Sequence, residues 1–176
     1  MQKVYDGLDT FSEKAGLQKH LGNLVYNLKL ELDEVKEAYI SNNIYHLIEE
    51  VCDICVYAYN GIHQVGGSHG DIALCKVPSN YHNFYAKVSV YIELIDSQSI
   101  EIEQGLKFII EFASDFVKTQ GFDFELCMIE VVRKINSRKG AINLVTQKWE
   151  KDANQDKREL YKPDFSKCEL SVSVDF

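Results

Sequence analysis

Only two prolines, Pro78 and Pro163, fall in 176 residues. Proline removes a backbone donor and clashes with the preceding helical turn, so its near absence leaves long stretches free to be helical. The apolar residues use that freedom. They recur at three- and four-residue intervals, the period of one buried helix face, while the two-residue alternation of strands is scarce. The chain is therefore read as all-α, a helical bundle of about five helices with an irregular C-terminal segment. With 45% hydrophobic residues it can bury a real core, and its length suits a single domain over 1–176.

The first helix is predicted over about Asp9 to Ser41, with Gly16 and Gly22 able to divide it. Its stripe is Leu21, Leu24, Val25, Leu28, Leu32, Val35 and Tyr39. Ser41-Asn42-Asn43 then supplies a break and a cap. Ile44, Leu47, Ile48, Val51, Cys55, Ala58 and Ile62 mark a second helix ending near Gly66-Gly67. A turn-rich connection leads to a third helix through Phe84, Val88, Tyr91, Ile92 and Ile95. A fourth runs through Ile102, Leu106, Ile109, Ile110, Ala113, Phe116 and Val117, with Gly121 as its stop. Asp123 caps a fifth, with Leu126, Ile129, Val132 and Ile135 inward. From Ala141 the chain reads as irregular.

Two acidic pairs lie on the first two helices, Glu34-Val-Lys-Glu37 and Glu50-Val-Cys-Asp53. The i, i+3 spacing sets both carboxylates of a pair on one side of a helix. Each pair borders its apolar stripe, with Glu31 on the near flank of the first. Four facing carboxylates need a cation, and hard divalent ions prefer such oxygens, magnesium sharing itself between protein carboxylates and substrate phosphates. A single pair is ordinary surface charge. Glu93 and Asp96 show the same spacing with no matching pair before them, and they read as a solvated face. A di-iron bundle would need Glu-x-x-His. None occurs, which leaves an oxygen-only site for Mg2+ or Mn2+. On the second helix His46, Glu50, Asp53, Tyr57 and Asn60 share one face, so Asn60 is a candidate substrate contact.

The net charge of −8 argues against binding a nucleic-acid polymer, whose affinity rests on Lys and Arg. The charge is divided, however. Residues 1–132 carry 9 basic and 20 acidic side chains, residues 133–162 carry 9 basic and 4 acidic. Within RKINSRKG, Lys134, Asn136 and Arg138 are candidates to bind anionic oxygens, with Lys139 in reserve. Cations complementing a helix C-terminus are the equally simple alternative. No Walker A loop, nucleophile elbow or dinucleotide-binding glycine pattern occurs. Cys52-x-x-Cys55 falls inside a helix and reads as buried thiols, since free cysteine behaves as a small hydrophobe. No export signal or membrane-spanning apolar run is seen, so a cytoplasmic location is expected, with no membrane partner.

The order helix, ExxE, short break, ExxD, helix resembles the MazG-like all-α nucleoside triphosphate pyrophosphatases. The carrying residues are LELDEVKEAY, HLIEEVCDICVYAYN, the later KINSR, and KRELYKPDFSKC, which is similar to a tail of some phage and bacterial members. Together they cover roughly half of the chain. The resemblance implies hydrolysis of a nucleoside triphosphate between the α and β phosphates. It implies magnesium held by Glu34, Glu37, Glu50 and Asp53, with Glu34 or Glu37 orienting the water and Glu31 as an outer partner. Lys134, Asn136 and Arg138 would meet the triphosphate, and a homodimer or homotetramer would form. The phage-like tail points to a purine deoxynucleotide such as dGTP. Two other readings stay open: a non-catalytic helical interaction protein whose acidic rows are solvated, and a related phosphohydrolase acting on nucleoside diphosphates or a phosphoribosyl nucleotide.

Overall fold

The structure, a computed structural model, describes residues 1–14, 23–68, 80–142 and 149–171. Among these, six helices form: α1 (Gln2–Lys14), α2 (Leu24–Ile40), α3 (Ile44–Gln64), α4 (Tyr81–Asp96), α5 (Ile102–Thr119) and α6 (Phe124–Ser137). The all-α class is as expected, with one helix more. The long helix read over Asp9 to Ser41 is in fact two. The first already begins at Gln2 and buries Val4, Leu8 and Phe11, a stripe of its own. Leu21, Gly16 and Gly22 lie outside the described residues.

The break between α2 and α3 forms where the polar residues stand. Asn42 adopts a left-handed φ of 55°, and the Asn43 side chain accepts from the His46 N–H at 3.2 Å, capping α3. The turn lays α2 and α3 side by side. α2, α3, α5 and α4 close a four-helix ring in which α4 returns to α2. Lys29 of α2 meets Asp96 of α4, while Tyr39 stacks on Tyr81, so these two helices run antiparallel. Phe84 of α4 stacks on Phe116 of α5, ring centroids 4.9 Å apart.

α3 is enclosed, because α1 and α6 cover the side that the ring leaves open. From Leu47 to Ile62 nearly every turn contributes buried residues on more than one face, among them Ile48, Val51, Cys52, Ile54 and Cys55. The inward face of α6 differs from expectation. Phe124, Cys127, Met128, Val131, Val132 and Ile135 are buried, whereas Leu126 is 45% exposed. Apolar residues flank both sides of that stripe, so period alone left its phase open. Asp123 does cap α6, accepting from the Leu126 N–H at 2.9 Å, and Gly121 ends α5 at a φ of +88°.

The segment after α6 is more ordered than its composition suggested. β1 (Gly140–Ile142) pairs antiparallel with β2 (Trp149–Lys151), Ala141 opposite Glu150. Two 3-10 turns follow, Lys157–Glu159 and Phe165–Cys168. Residues 161–170 then run back along α6. The Tyr161 N–H donates to Ser137 Oγ at 2.9 Å at one end, and the Asp123 and Leu170 N–H groups bond Cys168 and Gly121 carbonyls at 2.7 Å at the other. Midway, buried Glu130 accepts from the Tyr161 hydroxyl at 2.5 Å and the Asp164 N–H at 2.9 Å. None of the described helices is long and apolar enough to cross a membrane.

Candidate metal centre

The α2–α3 turn sets the two acidic motifs against each other. Glu31 and Glu34 of α2 and Glu50 of α3 each offer a carboxylate oxygen, and the three oxygens lie within 4.8 Å of one another. Glu31 is half-buried, Glu34 exposed, and Glu50 only 8% exposed. His46, one turn before Glu50, brings Nε2 to 3.1 Å from Glu50 Oε1. Glu50 Oε2 is buried without a hydrogen-bond partner.

Gathering these carboxylates changes how tightly they hold protons. Burial, and after it the charge of Asp53, pushes the Glu50 carboxyl up to about 8. Burial followed by Asp53 and Glu34 pushes Glu31 up to about 7. A buried carboxylate oxygen with no donor is expensive for a stability-driven core. A cation removes that cost. The donors are all hard oxygens, so the trio could hold a divalent ion of the magnesium, manganese or calcium type and is poorly suited to softer metals.

Asp53 follows Glu50 by one turn and is not one of the three. Its Oδ2 lies 3.1 Å from Nζ of Lys134, which comes from α6 and also meets Glu49 Oε1 at 2.5 Å. Burial raises the Asp53 pKa and Lys134 opposes that rise. Burial also works against the Lys134 ammonium, yet Asp53 and Glu49 outweigh it and its pKa is raised. Arg138, one turn further along the chain, opposes by its charge the rise of the Glu31 and Asp53 pKa values. Tyr57 of α3 is half-buried; burial and then Glu31 push its phenol up to about 12.

The remaining expected residues fall elsewhere. Glu37 is exposed on α2, one turn beyond Glu34 and outside the trio. Asn60 Oδ1 accepts from Ser12 Oγ at 3.3 Å, and Asn136 Nδ2 donates to the Gly7 carbonyl at 3.0 Å, so both face α1. Lys139 pairs with Glu159 at 2.7 Å. Glu93 and Asp96 form an exposed ion-pair group with Lys29, in keeping with the solvated reading. Cys52 and Cys55 are fully buried and burial raises both thiols, so they remain protonated core groups.

Two participants were not foreseen in these roles. Glu31 belongs to the trio itself, and Glu31-x-x-Glu34 has the same i, i+3 spacing that marked Glu34 and Glu37. Glu49 precedes Asp53 by four residues and so shares its face, a signal available in the sequence. Comparison with known protein families, curated proteins and solved structures finds no match to this chain.

Proposed function

We propose that this chain is a magnesium-dependent nucleotide pyrophosphohydrolase, which cleaves a nucleoside triphosphate between the α and β phosphates to the monophosphate and pyrophosphate. The observation that carries the reading is the buried, unpartnered Glu50 Oε2 in a trio of carboxylates, with Lys134 of α6 on Asp53 one helical turn along. Acidic helices alone repel a polyphosphate. A divalent ion on the trio, with the cations Lys134 and Arg138, would convert this acidic surface into one that attracts it.

Glu31, Glu34 and Glu50 would hold the ion, magnesium or in its place manganese, with Asp53 beside them. When bound, the ion supplies Lewis-acid polarisation of a phosphoryl oxygen and a more acidic water. Glu50 is oriented for its part by His46. Glu37 stands outside the trio on the solvent side, which leaves its carboxylate available to take the proton of the attacking water; Glu34 is the alternative base. Arg138 offsets charge developing on the phosphates. Asn60 and Asn136 are assigned here to holding α1 in place rather than to substrate. A homodimer or homotetramer and a cytoplasmic location belong to the same reading.

The test is a panel of ribo- and deoxynucleoside triphosphates, dGTP first, incubated with magnesium and assayed for pyrophosphate. Release of pyrophosphate together with the monophosphate supports the proposal. Folded protein that releases none from any member of the panel sinks it, and inorganic phosphate with the nucleoside diphosphate as the products would mean cleavage between the β and γ phosphates instead.

A further inference from the structure

We infer that Lys134 acts as a built-in second cation: the site takes one divalent ion, on Glu31, Glu34 and Glu50, and the Lys134 ammonium fills the place on Asp53 and Glu49 that a second ion would otherwise occupy. The inference rests on the reading of the trio as a cation site and adds its stoichiometry.

Five carboxylates, Glu31, Glu34, Glu49, Glu50 and Asp53, gather on two adjacent helices, enough to share two ions in the manner of phosphoryl-transfer sites whose metals stand about 4 Å apart. The five are not equivalent. Two of them already have a cation, since Nζ of Lys134 lies 2.5 Å from Glu49 and 3.1 Å from Asp53. The other three offer oxygens within 4.8 Å of one another, and one of the three, Glu50, carries the unpartnered Oε2. The boundary between occupied and available oxygens thus falls between Glu50 and Asp53, one helical turn apart.

Lys134 is not a surface lysine that happens to rest there. Its side chain is 21% exposed, against 23% for Glu49 and 14% for Asp53, and the helix that bears it is fixed on both sides. The Asn136 amide holds the Gly7 carbonyl of α1, and Ser137 joins the Lys134 carbonyl to the Tyr161 N–H. A compact ammonium with three donors can satisfy two carboxylates at once. Positive charge held there repels a second divalent ion in a setting where water screens poorly, while a single ion on the trio stays one turn away.

Manganese serves as the probe, titrated into the full chain and counted by calorimetry and by the loss of the free-ion magnetic resonance signal. Wild type is expected to bind one Mn2+ per chain, and Glu50→Gln to weaken it at least tenfold. Lys134→Gln is expected to bind two, and Lys134→Arg, which keeps the charge, one. Two ions in wild type overturn the inference while leaving the cation reading intact; no ion in wild type overturns the cation reading and the inference with it. A folded Lys134→Gln that still binds one ion also overturns it. Lys134→Met preserves the apolar stem and answers the same question should the glutamine variant not fold, and the wild-type count decides against a one-ion site whatever either variant does.

Discussion

Asn136 donates its side-chain amide to the backbone carbonyl of Gly7 at 3.0 Å, 129 residues earlier in the chain. Gly7 is a point of close approach between α1 and α6, since a Cβ on it would overlap Cγ1 of Val132. The bond and the close approach depend on each other. Replacing Asn136 by Leu leaves a carbonyl inside a helix pair without its added donor and should cost about 1–2 kcal/mol, and Gly7→Ala about 1–3 kcal/mol by overpacking. Urea unfolding of both variants checks this; a stability unchanged in both would mean that α1 is not held to α6 at this point.

Divalent ions should stabilise the fold by mass action. At a concentration one hundred times its dissociation constant, a single ion adds about 2.7 kcal/mol, read as a rise in melting temperature with magnesium or manganese. Glu31→Gln and Glu50→Gln should abolish the rise. Glu37→Gln should keep it and lose turnover, which separates the ligands from the base. Loss of the rise in Glu37→Gln would return that residue to the ligand set.

Stability without divalent ions should fall as pH increases. Glu31 and Glu50 have folded-state values of about 7 and about 8 against an ordinary 4.5, so the folded chain keeps protons that the unfolded chain has released. Their contribution is intact below the ordinary value and is lost progressively between about pH 5 and about pH 8, levelling off above. Melting temperatures in chelator across that window check the sign. Glu50→Gln should flatten the fall, and a rise in wild type would contradict the burial of these carboxyls.

Glu130 should act in the opposite sense and at lower pH. Burial alone would raise its pKa, but the Tyr161 hydroxyl, the Asp164 N–H and Arg133 outweigh it and the value is lowered. Its contribution is therefore present above the ordinary carboxyl value and lost as pH falls through the folded one. Tyr161→Phe removes a hydrogen bond to a charged acceptor and should cost about 1.5–3 kcal/mol near neutral pH, with the difference shrinking as pH falls below the ordinary carboxyl range. A variant as stable as wild type at neutral pH would show that the Tyr161 hydroxyl adds nothing to the bonds that hold the returning segment.

Elements that close on themselves were legible in the sequence. The Asn43 and Asp123 caps, the Gly121 stop and the stripes of α4 and α5 depend on residues within a few positions of one another, and each is found where the local pattern put it. What depended on a distant partner was less so. Glu31, Glu34 and Glu37 are equally spaced on α2, and it is the approach of α3 that turns Glu31 and Glu34 toward Glu50 and leaves Glu37 in solvent. Likewise Leu126 and Cys127 stand side by side at the margin of an apolar face, and only the position of the neighbouring helices decides which is buried. Lys134 could be picked out as a cation, but not its bond to Glu49.

The pairing of Lys134 with Asp53 spans 81 residues, whereas the acidic motifs are joined by a single turn. During synthesis the carboxylates are consequently in place long before the helix that neutralises two of them has emerged, and local contacts form faster than distant ones. A growing chain passes through a stage in which α2 and α3 gather like charges before Lys134 is there to oppose them. An ion bound as proposed would fill that interval, and it would then be a participant in folding as well as in whatever the finished site performs.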